Sequence, residues 1–251
     1  MKTNTIAKDQ RRHELRTAKR HEKAIYKCYV ELSKDIEDKL AKSLFDDVKE
    51  VIESKFKPRL QLTLEGIAKF NINQFVDYFV EKFKRTINLD ELQVIKSKTL
   101  SKFLTKYTAK TVTNVTDTTI KILNDRISKL TREGYSQVDI VKEIVRATKG
   151  EIGVNRAKII ARVETSKAFQ ITNYDTAVKA GLKYKTWWYI GGGMENRKYH
   201  QAMNGKKIPI NQKFDVQGEG KVPAAKMRFP KDPECRVAGQ VINCTCQIIY
   251  T

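Results

Sequence analysis

Apolar residues recur every three or four positions along the first part of the chain, with lysine, glutamate and aspartate between them. The series consists of Ile25, Tyr29, Leu32, Ile36, Leu40, Leu44, Val48 and Val51. This spacing is typical of one face of an amphipathic helix, and neither glycine nor proline occurs from Ala7 to Lys55. The pattern predicts a helix over about 7–55 that ends at Pro58, because proline cannot continue a helix without losing a hydrogen bond.

The same periodicity predicts three further helices, over about 63–87, 89–107 and 113–131. Phenylalanines form an aromatic face on the first of them, at Phe70, Phe75, Phe79 and Phe83. A threonine- and valine-rich run favours a break between these elements near 109–114, because β-branched residues have a lower helix propensity.

Turn and capping residues follow this region. Gly134 predicts a turn, and Ser136 with Asp139 three residues later predicts a capped helix that ends at Gly150. A further helix is predicted from about 155 to Gly181, because glycine commonly terminates helices in a left-handed conformation.

The sequence after Gly181 has a different character. Four of the five prolines lie there, together with two β-prone runs, at 183–190 and 241–251. We therefore predict an α+β protein, in which a long N-terminal helical region over 1–133 precedes a small mixed α+β domain over 134–251.

Charge indicates the chemistry of a partner. The chain has 49 Lys and Arg against 29 Asp and Glu, a formal net charge of +20, which favours contact with the phosphates of a nucleic acid. The basic residues nearest the N-terminus are candidate contacts for DNA: Arg11, Arg12, Arg16, Lys19, Arg20 and Lys23. No apolar run reaches the roughly 20 residues that span a bilayer, so no membrane partner is expected.

Cysteine and histidine cluster late in the sequence. Cys244 and Cys246 are two apart, so both thiols lie on one side of an extended segment, and Cys235 and His200 complete a possible Cys₃His zinc set. Alternatively, these thiols are small buried hydrophobic groups beside a hydrogen-bonded histidine. Zinc is thus an optional structural cofactor, and the sequence requires no other.

Signatures of nucleotide-binding loops, serine hydrolases and zinc peptidases are absent from the sequence. A general base could only be His200, because His13 and His21 lie in the basic N-terminal helix. These observations predict a protein that is not an enzyme.

An ordered series of short motifs lies between residues 161 and 246. Its members are Ala161, Arg162, Glu164 and Thr165; Lys185 and Trp187; Arg197, His200, Met203, Asn204 and Gly205; Phe214; Pro230, Asp232 and Pro233; and Asn243, Cys244 and Cys246. In this order the motifs resemble the C-terminal domain of Mu F-type bacteriophage minor head, or head-morphogenesis, proteins. The similarity covers about residues 134–250.

That resemblance implies a role inside a phage head. It implies a virion protein that associates with the portal protein and acts in procapsid assembly, genome packaging or genome ejection. Its implied partners are the portal, double-stranded DNA bound without sequence preference, and scaffold or major capsid protein. The implied location is the virion, with the host cytoplasm during assembly.

Two alternatives stay open at this point. Mu F-type domains also occur fused to toxin domains, so the chain could be a nuclease or toxin-like effector centred on His200. It could also be a zinc-stabilised module that binds nucleic acid.

Overall fold

The computed structural model describes residues 3–40, 47–83, 87–191, 197–242 and 244–251. Its helices are α1 Thr3–Leu40, α2 Asp47–Val51, α3 Lys57–Lys82, α4 Leu89–Phe103, α5 Ala109–Arg132, α6 Gln137–Ala147, α7 Gly153–Lys179, α8 Lys198–Gln201 and α9 Ala238–Val241. Its strands are β1 Tyr184–Trp188, β2 Lys207–Pro209, β3 Phe214–Val216, β4 Ala225–Met227 and β5 Gln247–Tyr250. The predicted α+β class is confirmed.

Pro58 does not end a helix, contrary to the prediction. A π-helical turn, Ile52–Phe56, joins α2 directly to α3, and Pro58 is the second residue of α3. The amide of Lys57 already bonds to the carbonyl of Ile52, five residues back. Proline has no amide hydrogen to donate. The wider π-helical turn just before Pro58 shifts the pattern of backbone hydrogen bonds at the position where that donor is missing.

The predicted break near 109–114 is also wrong. A second π-helical turn, Leu104–Thr108, leads from α4 into α5 without interruption. Threonine hydroxyls bond back to the carbonyl four residues earlier, as in Thr113 to Ala109 at 3.2 Å and Thr119 to Val115 at 2.7 Å. These bonds and the burial of one face of α5 offset the low helix propensity of the run.

The turn and the cap around residue 134 are confirmed. Gly134 has φ +78°, a left-handed conformation that glycine adopts without a steric cost. The hydroxyl of Ser136 accepts the amide hydrogen of Asp139 at 3.2 Å and begins α6. A π-helical turn, Thr148–Ile152, then leads to α7.

The chain forms two compact units. One contains residues 1–18, 68–102 and 163–251, and the other contains 19–67 and 103–162. The second unit has its own apolar core, to which Tyr29, Phe56 and Leu123 contribute fully buried side chains. The division after residue 133 stays a prediction.

All of the strands in the described ranges belong to the first unit. The order β2–β1–β5 forms an antiparallel sheet, with Trp187 of β1 opposite Ile248 of β5. Strands β3 and β4 form a separate antiparallel pair. Along β1, Lys185 and Trp187 are buried while their neighbours are more exposed, so the alternate residues of this strand face the core of the first unit.

A search of the helices in the described ranges found no candidate membrane span.

Candidate metal centre

Three side chains of types that can bind a metal ion lie close together. His200 lies on α8, and Cys244 and Cys246 lie in the segment just before β5. One ligand atom from each residue falls within 4.8 Å of the others. The Nδ1 atom of His200 is 3.4 Å from Sγ of Cys244 and 3.8 Å from Sγ of Cys246. All three residues are buried, and together they could hold a metal ion.

The other imidazole nitrogen has a separate partner. Nε2 of His200 lies 2.8 Å from Oε1 of Gln240, a fully buried side chain on α9. Nε2 of Gln240 donates to the carbonyl oxygens of Gln217 at 2.9 Å and Pro223 at 3.0 Å. The loop between β3 and β4 therefore holds the carboxamide that contacts the imidazole.

Gly239 allows this loop to lie against α9. A Cβ atom at this position would be 2.8 Å from Cγ2 of Val222, closer than real Cβ contacts occur. The absence of a side chain thus brings Gln240 within reach of the two carbonyls.

The two thiols differ in acidity. Burial raises the pKa of Cys244, but hydrogen bonds with Cys246 and His200 and the charge of Lys231 bring that pKa well below its usual range. The hydrogen bond with Cys244 and burial raise the pKa of Cys246. The pair therefore loses its first proton readily and retains the second.

Cys235 does not join this cluster, although the sequence predicted it as a fourth ligand. Its half-buried thiol donates to the carbonyl of Val237 at 3.8 Å, and it is not among the residues that converge. Residue spacing could identify the pair of cysteines at 244 and 246, but it could not place a thiol from another loop.

A buried polar network lies beside the thiols. The carboxylate of Glu14, on α1, accepts two hydrogen bonds of 2.9 Å from the ammonium of Lys231 and one of 2.7 Å from Nε2 of Gln247. Arg11 and Ser166 also donate to it. Although burial alone would raise the pKa of Glu14, the charges of Lys231 and Arg11 and these hydrogen bonds lower that pKa to about 2.

Lys231 reaches this carboxylate from a strained backbone. Its φ of +62° is the only left-handed value of a non-glycine residue in the described ranges, and its side chain is 5% exposed. Such strain persists where surrounding contacts hold it. The sequence does not identify Glu14, Lys231 or Gln240 as part of this site. Of the three, only Gln240 has a local signal, because it lies four residues before Cys244.

Several of the residues that carry the resemblance to Mu F-type proteins are buried or hydrogen-bonded. Glu164 and Thr165 are buried on α7, and the carboxylate of Glu164 forms an ion pair of 2.7 Å with the ammonium of Lys167. Nη2 of Arg197 donates to the carbonyl of Ile242 at 2.6 Å. Trp187 is fully buried. Three positions remain: Arg162 is exposed, Gly205 has φ +78° in the turn after α8, and Asn243 lies outside the described residues.

The basic residues predicted to contact DNA lie on α1. Arg12, Arg16, Lys19, Arg20 and Lys23 are exposed. Arg11 is half-buried and pairs with Glu14. DNA binding by these residues stays a prediction.

A second polar cluster surrounds the C-terminal part of α7. Oδ2 of Asp175 accepts a hydrogen bond of 3.0 Å from Thr99. Burial raises the pKa of Asp175, against the opposing charges of Lys102 and Arg228. The guanidinium of Arg228 lies 5.9 Å from the ring centre of Tyr174. The same guanidinium pairs with Asp232 at 2.6 Å and with Glu234 at 3.4 Å, so the cluster brings carboxylates, cations and an aromatic ring together.

No family model and no solved structure matches the chain. The chain is similar to the curated protein NAD(+)--arginine ADP-ribosyltransferase EFV of Enterococcus faecalis, with 28% identity over 159 residues. The match covers 62% of this chain and 29% of that protein.

This similarity contradicts two predictions made from the sequence. The expected function, a minor head protein associated with the phage portal, is wrong, because the relative is named for an enzymatic activity. The expectation that the chain is not an enzyme is wrong for the same reason. The resemblance to Mu F-type proteins, the portal, capsid and DNA partners, and the virion location stay predictions.

Proposed function

We propose that this chain acts in a toxin-like effector that transfers ADP-ribose from NAD⁺ to arginine. The observation that carries the proposal is its similarity to an arginine ADP-ribosyltransferase. The chain spans about 29% of that relative's length.

The reaction exchanges one glycosidic bond for another. The bond between ribose C1′ and the nicotinamide nitrogen breaks, and C1′ bonds to a guanidinium nitrogen of the arginine, which releases a proton. Positive charge develops on the ribose as nicotinamide leaves. A carboxylate stabilises such a charge, and cations hold the pyrophosphate.

Among the described residues, the cluster around Asp175 supplies these groups. The Asp175 carboxylate is the candidate for stabilising the ribose, and Lys102 is the candidate for holding the pyrophosphate, since the guanidinium of Arg228 is already paired with Asp232 and Glu234. His200 has no part in this proposal, because it is 1% exposed and both of its ring nitrogens face buried side chains.

Incubation of the purified chain with NAD⁺ and agmatine, a soluble arginine analogue, tests the proposal. We expect release of nicotinamide together with ADP-ribosyl-agmatine, and we expect Asp175→Asn to lower the rate by about 100-fold, since it removes an electrostatic contribution to the transition state.

Asp215→Asn is the matched control and should leave the rate unchanged, because Asp215 is exposed on β3 and pairs with Lys226 at 3.4 Å. If the full-length relative modifies agmatine and this chain does not, the activity lies outside the shared segment and the proposal fails.

We further propose that the cofactor of the cluster His200, Cys244 and Cys246 is a structural zinc ion. Thiolate and imidazole are ligands that zinc prefers. The buried position of all three residues favours a role in holding the segment before β5 against α8, because the energy of metal binding contributes to folding.

Metal analysis of protein purified without chelator measures this directly, and we expect about one equivalent of zinc. Removal of the ion by a chelator should lower the melting temperature. Cys246→Ser should abolish both effects, whereas Cys235→Ser should retain them. Less than about a tenth of an equivalent in the wild type would contradict a resident zinc ion.

A further inference from the structure

The carboxamide of Gln240 has only one orientation compatible with its neighbours. Its nitrogen lies 2.9 Å from the carbonyl oxygen of Gln217 and 3.0 Å from that of Pro223. Both neighbours can only accept hydrogen bonds. A flipped amide would bring its own oxygen against two carbonyl oxygens and would break both hydrogen bonds of a carboxamide that is itself fully buried. Oε1 of Gln240 must therefore be the atom that faces His200.

This orientation determines the protonation of the imidazole. Oε1 of Gln240 accepts hydrogen bonds and cannot donate them, and it lies 2.8 Å from Nε2 of His200. Nε2 must carry a hydrogen for this contact to be favourable. In the neutral ring Nδ1 then has a lone pair, and it is the nitrogen that faces the two thiols.

We infer that Gln240 is a positioning residue, which holds His200 in the Nε2–H tautomer and thereby makes Nδ1 the metal ligand. A ligating histidine usually donates its other ring hydrogen to an oxygen, which fixes both the tautomer and the ring orientation. The carbonyls of the loop between β3 and β4 complete this chain of contacts, so the loop governs the site without touching an ion. The tautomer follows from the contacts of Gln240, and only the role of Nδ1 as a ligand rests on the proposed metal site.

The tautomer can be measured in the metal-free, reduced wild type. The chain has three histidines, and comparison with His200→Gln assigns the signal of His200 in a long-range proton–nitrogen-15 spectrum. We expect Nε2 to carry a hydrogen, both in the neutral ring and where Nδ1 also carries one as a donor to the Cys244 thiolate. A ring with its hydrogen on Nδ1 and none on Nε2 overturns the inference, whether or not the protein binds metal.

A second measurement uses Gln240→Met, which keeps the length of the side chain and removes the acceptor. Loss of the acceptor should let both tautomers appear in the spectrum. It should also weaken cobalt(II) binding by about 10- to 100-fold, as measured from the thiolate-to-cobalt absorption bands. Cys235→Ser is the control with unchanged affinity. Unchanged tautomer and unchanged affinity in Gln240→Met overturn the inference.

The two proposals fail in different ways. A wild type with the expected tautomer that binds neither cobalt(II) nor zinc supports the inference that Gln240 sets the tautomer of His200, and it removes the zinc proposal together with the role of Nδ1 as a ligand.

Discussion

Lys231→Met should lower the free energy of unfolding by about 3–5 kcal/mol, because it leaves the buried carboxylate of Glu14 without its principal counter-charge. The two side chains are 5% and 1% exposed and are joined at 2.9 Å. Urea unfolding at neutral pH, followed by circular dichroism, measures the change.

Lys226→Met is the matched control. Lys226 pairs with Asp215 at 3.4 Å, but both side chains are largely exposed, so this loss should cost less than about 1 kcal/mol. If the two variants have the same free energy of unfolding, the buried pair of Glu14 and Lys231 does not contribute more to stability than an exposed pair. The double variant Glu14→Gln/Lys231→Met should be less destabilised than the sum of its single changes, since neither charge is then left alone.

Acid adds a second readout of the same pair. The pKa of Glu14 is about 2 in the folded chain, against an ordinary value of 4.5, so the contribution of its ionised form to stability is complete above pH 4.5 and is lost as the pH falls toward 2. At about 1.4 kcal/mol per pKa unit, this amounts to about 3 kcal/mol. Lys231→Met should show a smaller loss over this window, because Lys231 is a main cause of the lowered pKa.

Trp187→Ala should be comparably destabilising, by about 3–5 kcal/mol, because it opens a large cavity at a fully buried aromatic position. The indole packs edge-to-face on the His200 ring at 5.5 Å and on Phe214 at 5.2 Å. It thereby joins β1 to α8 and β3. Chemical denaturation followed by far-ultraviolet circular dichroism avoids reliance on tryptophan fluorescence.

Trp188→Ala provides the comparison, since Trp188 is the next residue of β1 and is only half-buried. Its cost should be less than half that of Trp187→Ala. Equal costs would mean that the face of β1 carrying Trp187 does not form the core of this unit. Trp187→Ala should also weaken cobalt(II) binding, because the indole supports the His200 ring.

Local patterns predicted most of the helices and two of the strands, but not the irregular turns between them. Hydrophobic periodicity identifies a helix wherever one face is buried, and Ser136 and Gly134 have local roles that a sequence can show. Pro58 was misinterpreted because a π-helical turn just before it depends on packing, which propensity scales do not include.

The candidate site was predictable only in part for a related reason. Cys244 and Cys246 are close in the sequence, so their shared direction follows from backbone geometry. Glu14, Lys231 and Gln247 are far apart in the sequence and carry no local pattern that links them. The functional prediction rested on the order of short motifs, and a function cannot be argued from motif order without the geometry of a site.

The network around Glu14 also has a consequence for the order of events during synthesis. A carboxylate made at position 14 meets its ammonium at 231 and its amide at 247 only after more than two hundred further residues have been translated. Until then α1 carries an unpaired carboxylate, and burial of an unpaired charge in an apolar interior costs free energy. The first unit therefore cannot close around this segment early, and a nascent chain depends on its late residues to complete a unit that its early residues begin.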